Sequence, residues 1–115
     1  MSQKKWGRFI NISSTVALEP TPTMSVSAAI RAGVAALSKS ASLSLADSGV
    51  TINTICPGGV ATDRLLNLID DQSNSTGESF ETLLMKAEAS IPMKRFAEPS
   101  EIANLVIFLC SNKAN

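Results

Sequence analysis

Val50-Thr-Ile-Asn-Thr-Ile55, running straight into Cys56-Pro-Gly-Gly59, is the stretch that decides the fold. Its β-branched residues fit a pleated, buried surface, which reads as a strand. Pro57 then removes a backbone donor and the two glycines free the chain to turn, so the strand ends at Cys56. Working backwards, Asp47-Ser-Gly49 closes a helix, with Gly49 suited to the left-handed position after its last turn. From about Ser25, residues Ile30, Val34, Leu37, Ala41 and Leu45 recur at steps of three and four, the spacing of one apolar helix face. Ala28, Ala29, Ala32, Gly33, Ala35 and Ala36 crowd its first half, so something can approach that helix closely. Further back, two prolines make Glu19-Pro-Thr-Pro-Thr23 a loop, and Arg8-Phe-Ile-Asn-Ile-Ser13 reads as another short buried strand. Strand, helix, strand is a βαβ unit, which implies a parallel sheet covered by helices.

Downstream of Gly59 the pattern is mainly helical. A helix is expected around Thr62 to Leu68, then a mobile polar loop over Asp70-Asp-Gln-Ser-Asn-Ser-Thr-Gly77. Phe80 to Ala89 is again helical in character, and Ile91-Pro-Met-Lys-Arg-Phe96 reads as extended. Glu98-Pro-Ser-Glu101 opens a last helix with proline in its first turn, and Ile102, Leu105, Val106 and Leu109 form its apolar stripe.

Composition narrows the function. The 115 residues are 44% hydrophobic and 17% charged, which describes a folded chain rather than a disordered one. Ten basic and ten acidic residues cancel, so no net charge draws the chain to nucleic acid or to a membrane surface. No run approaches a membrane-spanning length, and a cytoplasmic location is expected. The chain has no His and no Tyr, so no imidazole or phenol of its own can do chemistry. Cys56 and Cys110 lie too far apart for a metal-ligand motif and read as small buried hydrophobes in a reducing compartment, with no metal site expected.

Two strands make a poor sheet, because a buried strand such as Phe9 to Ile12 needs a partner on each side. Residues 1–115 therefore read as a single incomplete domain, unless domain swapping or obligate assembly completes it.

The motifs also carry a likeness. Asn11-Ile-Ser-Ser14, a Pro-containing loop, a small-residue helix, Val50-Thr-Ile-Asn-Thr-Ile-Cys-Pro-Gly58 and Met93-Lys-Arg-Phe-Ala-Glu-Pro-Ser-Glu-Ile-Ala103 follow one another in order. Together they resemble the C-terminal half of a short-chain dehydrogenase/reductase, closest in character to the 3-oxoacyl-(acyl-carrier-protein) reductase-like branch. The resemblance implies an α/β fold: the βαβα portion of a Rossmann-like, doubly wound parallel sheet, without its N-terminal nucleotide-binding half and last strand. It implies an NAD- or NADP-dependent oxidoreductase, acting on a small-molecule carbonyl or alcohol and assembled as a homo-oligomer. The helix bearing Ala28, Ala32 and Ala36 corresponds to one that packs between subunits, which is preferred here over ordinary close packing within one chain.

Carried over residue by residue, the catalytic serine falls on Ser14; a strand-end serine that satisfies loop backbone is the plainer reading. The family's Tyr-x-x-x-Lys falls on Ser27-Ala-Ala-Ile-Arg31, so both reacting side chains are replaced. Ser27 is a shorter and far weaker acid than a phenol, while Arg31 keeps the charge and can reach ribose hydroxyls with a planar fork. Pro57, Gly58, Val60 and Thr62 match the segment that contacts the nicotinamide end, with Thr62 equally suited to cap a helix. Asp63-Arg64 and the residues through Gly77 correspond to a substrate lid. An atypical oxidoreductase, a catalytically impaired homologue serving as a nucleotide-binding or assembly subunit, and a truncated reading frame are the three functions compatible with these replacements.

Overall fold

The computed structural model describes residues 1–115, the side chain of Ser2 excepted. It divides into two parts, Met1–Gly58 with Asn104–Asn115, and Gly59–Ala103.

In the first part, strands β1 (Gly7–Ile12) and β2 (Val50–Ile55) lie parallel, with Gly7 opposite Val50 and Ile12 opposite Ile55. The crossover between them is helix α1 (Ser25–Leu45), preceded by single 3-10 turns at Thr15–Ala17 and Pro22–Met24. The segment with two prolines is thus partly wound, because Pro22 has the φ that a first helical position requires. Gly49 ends the crossover at φ 65°, and a Cβ there would sit 2.3 Å from the Lys5 carbonyl oxygen, so only glycine fits. Among the described residues β1 has no partner on its second edge, and Phe9 and Ile12 are 51% and 62% exposed.

The apolar stripe expected to bury α1 does not. Ile30 and Leu37 are 65% and 70% exposed, and the buried positions are Ala28 and Ser38. Ser38 is held there because its hydroxyl donates to the Val34 carbonyl (2.7 Å) and accepts from the Asn11 amide (2.6 Å). Val34, Leu37 and Leu45 nonetheless line an open cavity with Phe9, Asn11 and Ile52, so the stripe faces the strands without being closed over. Arg8, also buried, is held through its terminal nitrogens: it donates to Gly7 O at 3.0 Å and Gly49 O at 3.4 Å, bonds the Asn115 side chain, and lies over the Trp6 ring, while its Nε has no partner among the described residues.

The second part is built on helices α2 (Asp63–Thr76) and α3 (Phe80–Ser90) around Ile69, Leu83 and Phe96. The polar run through Thr76 is not a loop: α2 continues to Gly77, which takes φ 74° and donates to the Ser73 carbonyl at 2.9 Å. Leu65 and Ile69, one turn apart, anchor the helix to the core, so its polar residues need only face water. Ile91 to Phe96 is a turn rather than an extended segment. Pro92 occupies the second position, Lys94 N–H donates to Ile91 O at 2.9 Å, and Lys94 has φ 57°.

Helix α4 (Pro99–Cys110) begins where expected, and its residues from Asn104 onward belong to the first part. Glu101 accepts both terminal nitrogens of Arg95 (2.6 and 2.8 Å) and the Glu98 N–H (2.8 Å), closing the first turn. These bonds, that from Arg95 foremost, hold the Glu101 carboxyl down at about 2. Ile102, Val106 and Leu109 are half-buried, while Leu105 is exposed. Cys110, expected inside, is exposed, because it follows Leu109 by a third of a turn and leaves that face; Cys56 is half-buried.

Candidate active site

The site residues of the first part gather where β1 and β2 end. Pairing continues past the strands: Ser13 N–H donates to Ile55 O at 2.8 Å and Thr15 N–H to Pro57 O at 3.0 Å. Ser14 lies between these two bonds and is thereby fixed beside the Cys56-Pro57 turn. Its hydroxyl caps the following 3-10 turn, accepting the Val16 N–H at a long 3.4 Å. Gly58 leaves the neighbourhood open, since a Cβ there would meet only Thr15 Cγ2, at 3.9 Å.

Ser27 and Arg31 stand one turn apart on α1, and Arg31 Nε donates to Ser27 Oγ at 3.2 Å. Both line a cavity of about 300 Å³ with Asn11 and Ser13, against the apolar Ile12 and Ile30. No hydrogen bond joins Ser14 to either of them among the described residues. Asn11 and Ser13 were not among the expected site residues. Alternation along β1 was the available signal: Phe9 and Asn11 both lie toward α1, Asn11 through its bond to Ser38, and the same spacing reaches Ser13. The Ser13 hydroxyl is buried without a partner among the described residues.

In the second part, Val60 and Thr62 follow Gly59. Val60 forms a parallel bridge to Ala97, in which Ala61 N–H donates to Ala97 O (2.8 Å) and Ala97 N–H to Gly59 O (3.0 Å). Thr62 N–H turns back to Val60 O at 2.8 Å, and its side chain caps α2 by accepting the Leu65 N–H at 3.4 Å. Two donors remain: the Val60 N–H, for which no acceptor is found among the described residues, and the Thr62 hydroxyl hydrogen. A carbonyl oxygen, such as that of a carboxamide, can accept from both donors. No helix among the described residues is long and apolar enough to cross a membrane.

Comparison with known proteins bears on the family and the fold. A family model described as Enoyl-(Acyl carrier protein) reductase matches residues 1–115. The chain is 36% identical over 115 residues to a D-beta-hydroxybutyrate dehydrogenase of Rhizobium meliloti, covering 99% of this chain and 45% of that protein. It is 36% identical over 114 residues to a 3-oxoacyl-(acyl-carrier-protein) reductase of Staphylococcus epidermidis, covering 99% and 42%. Among solved structures, a short chain dehydrogenase family protein of Francisella tularensis superposes at TM-score 0.84 with 35% identity, over 93% of this chain and 44% of that one. An actinorhodin polyketide ketoreductase crystallised with NADPH superposes at 0.88 with 30% identity, over 97% and 43%. The chain thus spans less than half the length of the curated relatives it matches.

Proposed function

The chain belongs to the short-chain dehydrogenase/reductase family, and on that premise we propose that the protein carrying it is an NAD(P)-dependent oxidoreductase with an altered proton-transfer pair. It reduces a carbonyl or oxidises an alcohol of a small molecule, and it works as a homo-oligomer. Residues 1–115 contribute one incomplete Rossmann-like domain to it. The observation that carries the reading is the Ser27–Arg31 hydrogen bond beside the end of β1, at the positions onto which the resemblance carries the family's Tyr and Lys.

When bound, the nicotinamide cofactor supplies or accepts the hydride. In the second part, Val60 N–H and the Thr62 hydroxyl would hold its carboxamide; in the first, taken by itself, Pro57 and Gly58 shape the turn after β2 and Arg31 would offer N–H donors to ribose hydroxyls. Ser14, fixed between its two neighbours' bonds to β2, donates its hydroxyl hydrogen to the substrate oxygen. What the chain lacks is an acid matched to neutral pH. A phenol near 10 is lowered by an adjacent cation, whereas the Ser27 alkyl hydroxyl lies far above that range. Arg31 keeps its proton throughout and can stabilise negative charge without delivering a proton. Turnover is therefore cofactor-dependent and slow.

Nicotinamide absorbance followed in the whole protein with a panel of ketones and acyl thioesters tests this. Slow oxidation of NADH or NADPH supports the assignment. Cofactor binding with no turnover on any substrate favours instead an impaired homologue acting as a binding or assembly subunit. Absence of cofactor binding overturns the oxidoreductase assignment and leaves only an assembly role.

A further inference from the structure

In the second part, the direction of the Val60 N–H is set by its neighbour across one backbone bridge. A peptide unit is planar and trans, so the Gly59 carbonyl and the Val60 N–H point oppositely in one plane. Whatever aims that carbonyl therefore aims the N–H. The Gly59 carbonyl accepts from Ala97 N–H at 3.0 Å, and Ala97 O accepts from Ala61 N–H at 2.8 Å. The bridge is isolated, with no further rung of a ladder to keep it in register. Ala97 itself lies in an irregular stretch between Lys94, at φ 57°, and the start of α4. Apart from the buried Phe96 ring beside Gly59, what holds it is the Arg95–Glu101 pair. The guanidinium of Arg95 donates to the Phe96 carbonyl at 2.9 Å, which is the far end of the peptide unit carrying the Ala97 N–H. The Glu101 carboxylate accepts the Glu98 N–H at 2.8 Å, the far end of the unit carrying the Ala97 carbonyl. Two bonds of 2.6 and 2.8 Å join guanidinium to carboxylate, so both peptide units of the bridge are tied to one planar fork. Closing the first turn of α4 needs only the Glu98 bond; the bond to the Phe96 carbonyl lies outside that helix. The two side chains are 45% and 43% exposed, and exposed pairs add little to overall stability. Their effect is on direction.

We propose that Arg95 and Glu101 are positioning residues for the nicotinamide end of the cofactor, orienting the Val60 N–H through the two peptide units of Ala97. This rests on the oxidoreductase reading, in which Val60 and Thr62 hold the carboxamide. Neither charged side chain touches the cofactor in this role. Their loss lowers affinity for the nicotinamide end and leaves the adenosine end untouched.

Two measurements on the whole protein test the proposal without requiring turnover. Amide hydrogen exchange read by mass spectrometry follows the bridge itself: Glu101→Ala speeds exchange at residues 59–62 and 95–98 and leaves α3 unchanged. Calorimetric titration with NADH and NADPH, and with ADP-ribose and its 2′-phosphate as counterparts lacking nicotinamide, reads the consequence. Glu101→Ala and Arg95→Ala each weaken the dinucleotide by roughly three- to tenfold, the reach of one hydrogen bond, while its counterpart binds as before. The double variant costs no more than the larger single one, since both act through one fork. Glu101→Gln and Arg95→Lys lose less, because each keeps part of the hydrogen bonding. Dinucleotide affinity unchanged in both alanine variants overturns the proposal. Equal loss of dinucleotide and counterpart also overturns it, as the mark of a general effect on the fold, and so does exchange unaltered by Glu101→Ala. The reading beneath it fails separately: a native protein that binds neither dinucleotide more tightly than its counterpart defeats the oxidoreductase assignment, and the positioning role falls with it, whatever the exchange shows of the bridge.

Discussion

Replacing Gly59 with alanine tests whether the turn that presents Val60 is held by packing. A Cβ at position 59 would lie 2.5 Å from Phe96 Cδ1, 2.7 Å from Phe96 Cε1 and 3.4 Å from Ile91 Cδ1. Carbon atoms prefer about 3.5–4.0 Å, so the overlap with the ring is about 1 Å. Neither side yields easily. Phe96 is buried against Ile69 and Leu83, and the Gly59 backbone is fixed by the Ala97 N–H bond to its carbonyl at 3.0 Å. Overpacking of this kind costs about 1–3 kcal/mol. Urea unfolding of the whole protein should show Gly59→Ala destabilised by that amount, with weaker NADPH binding because the Val60 N–H moves with the turn. Phe96→Leu, which shortens the ring's reach, is destabilising alone through the space it leaves. Combined with Gly59→Ala it should cost less than the sum, with a coupling of about 0.5–3 kcal/mol. Strict additivity, or a neutral Gly59→Ala, refutes the packing account of this turn.

Three further outcomes follow from local geometry. Gly49→Ala should destabilise by at least the ~1–2 kcal/mol of a left-handed alanine, read as a lowered urea midpoint, because its φ of 65° is compounded by the Lys5 carbonyl at 2.3 Å. Thr62→Ala removes the cap of α2 and should cost about 1 kcal/mol in the same measurement, with Thr62→Ser restoring most of it. Glu101 has a folded-state pKa below its ordinary 4.5, at about 2, so its contribution is present above the higher value and is lost as pH falls through the lower. The urea midpoint should therefore decline with acid across that window, and Glu101→Gln should flatten the decline.

Sequence reading succeeded where one residue dictates one local geometry. The β-branched run at Val50–Ile55, Gly49 at positive φ, Thr62 before α2 and Pro99 at the start of α4 all stand as expected. It failed where tertiary contact chose between local options. In α1, Ile30 and Leu37 stay exposed although both line open cavities against β1, while Ala28 and Ser38 are the buried positions, because a stripe buries only where neighbouring elements close over it. In α2, residues Asp70 to Thr76 have poor helical character alone, and the buried Ile69 carries the helix through them. The site shows the same division. Ser27 and Arg31, four apart on a helix, were placed together from spacing, and their hydrogen bond confirms that proximity. That Asn11 and Ser13, rather than Ser14, share their cavity depends on which face of β1 the helix covers, a tertiary relation that local pattern does not carry.

Restoring the family's pair in the whole protein, Ser27→Tyr with Arg31→Lys, and comparing its NADPH-dependent turnover with that of the native protein tests the central claim most directly. A phenol held by an adjacent ammonium should raise turnover by about 10²–10⁴, the usual reach of a positioned general acid, while cofactor binding changes little. Native turnover equal to or above that of the restored protein, with both folded and both binding NADPH, would contradict the claim that these two positions are the altered proton-transfer pair.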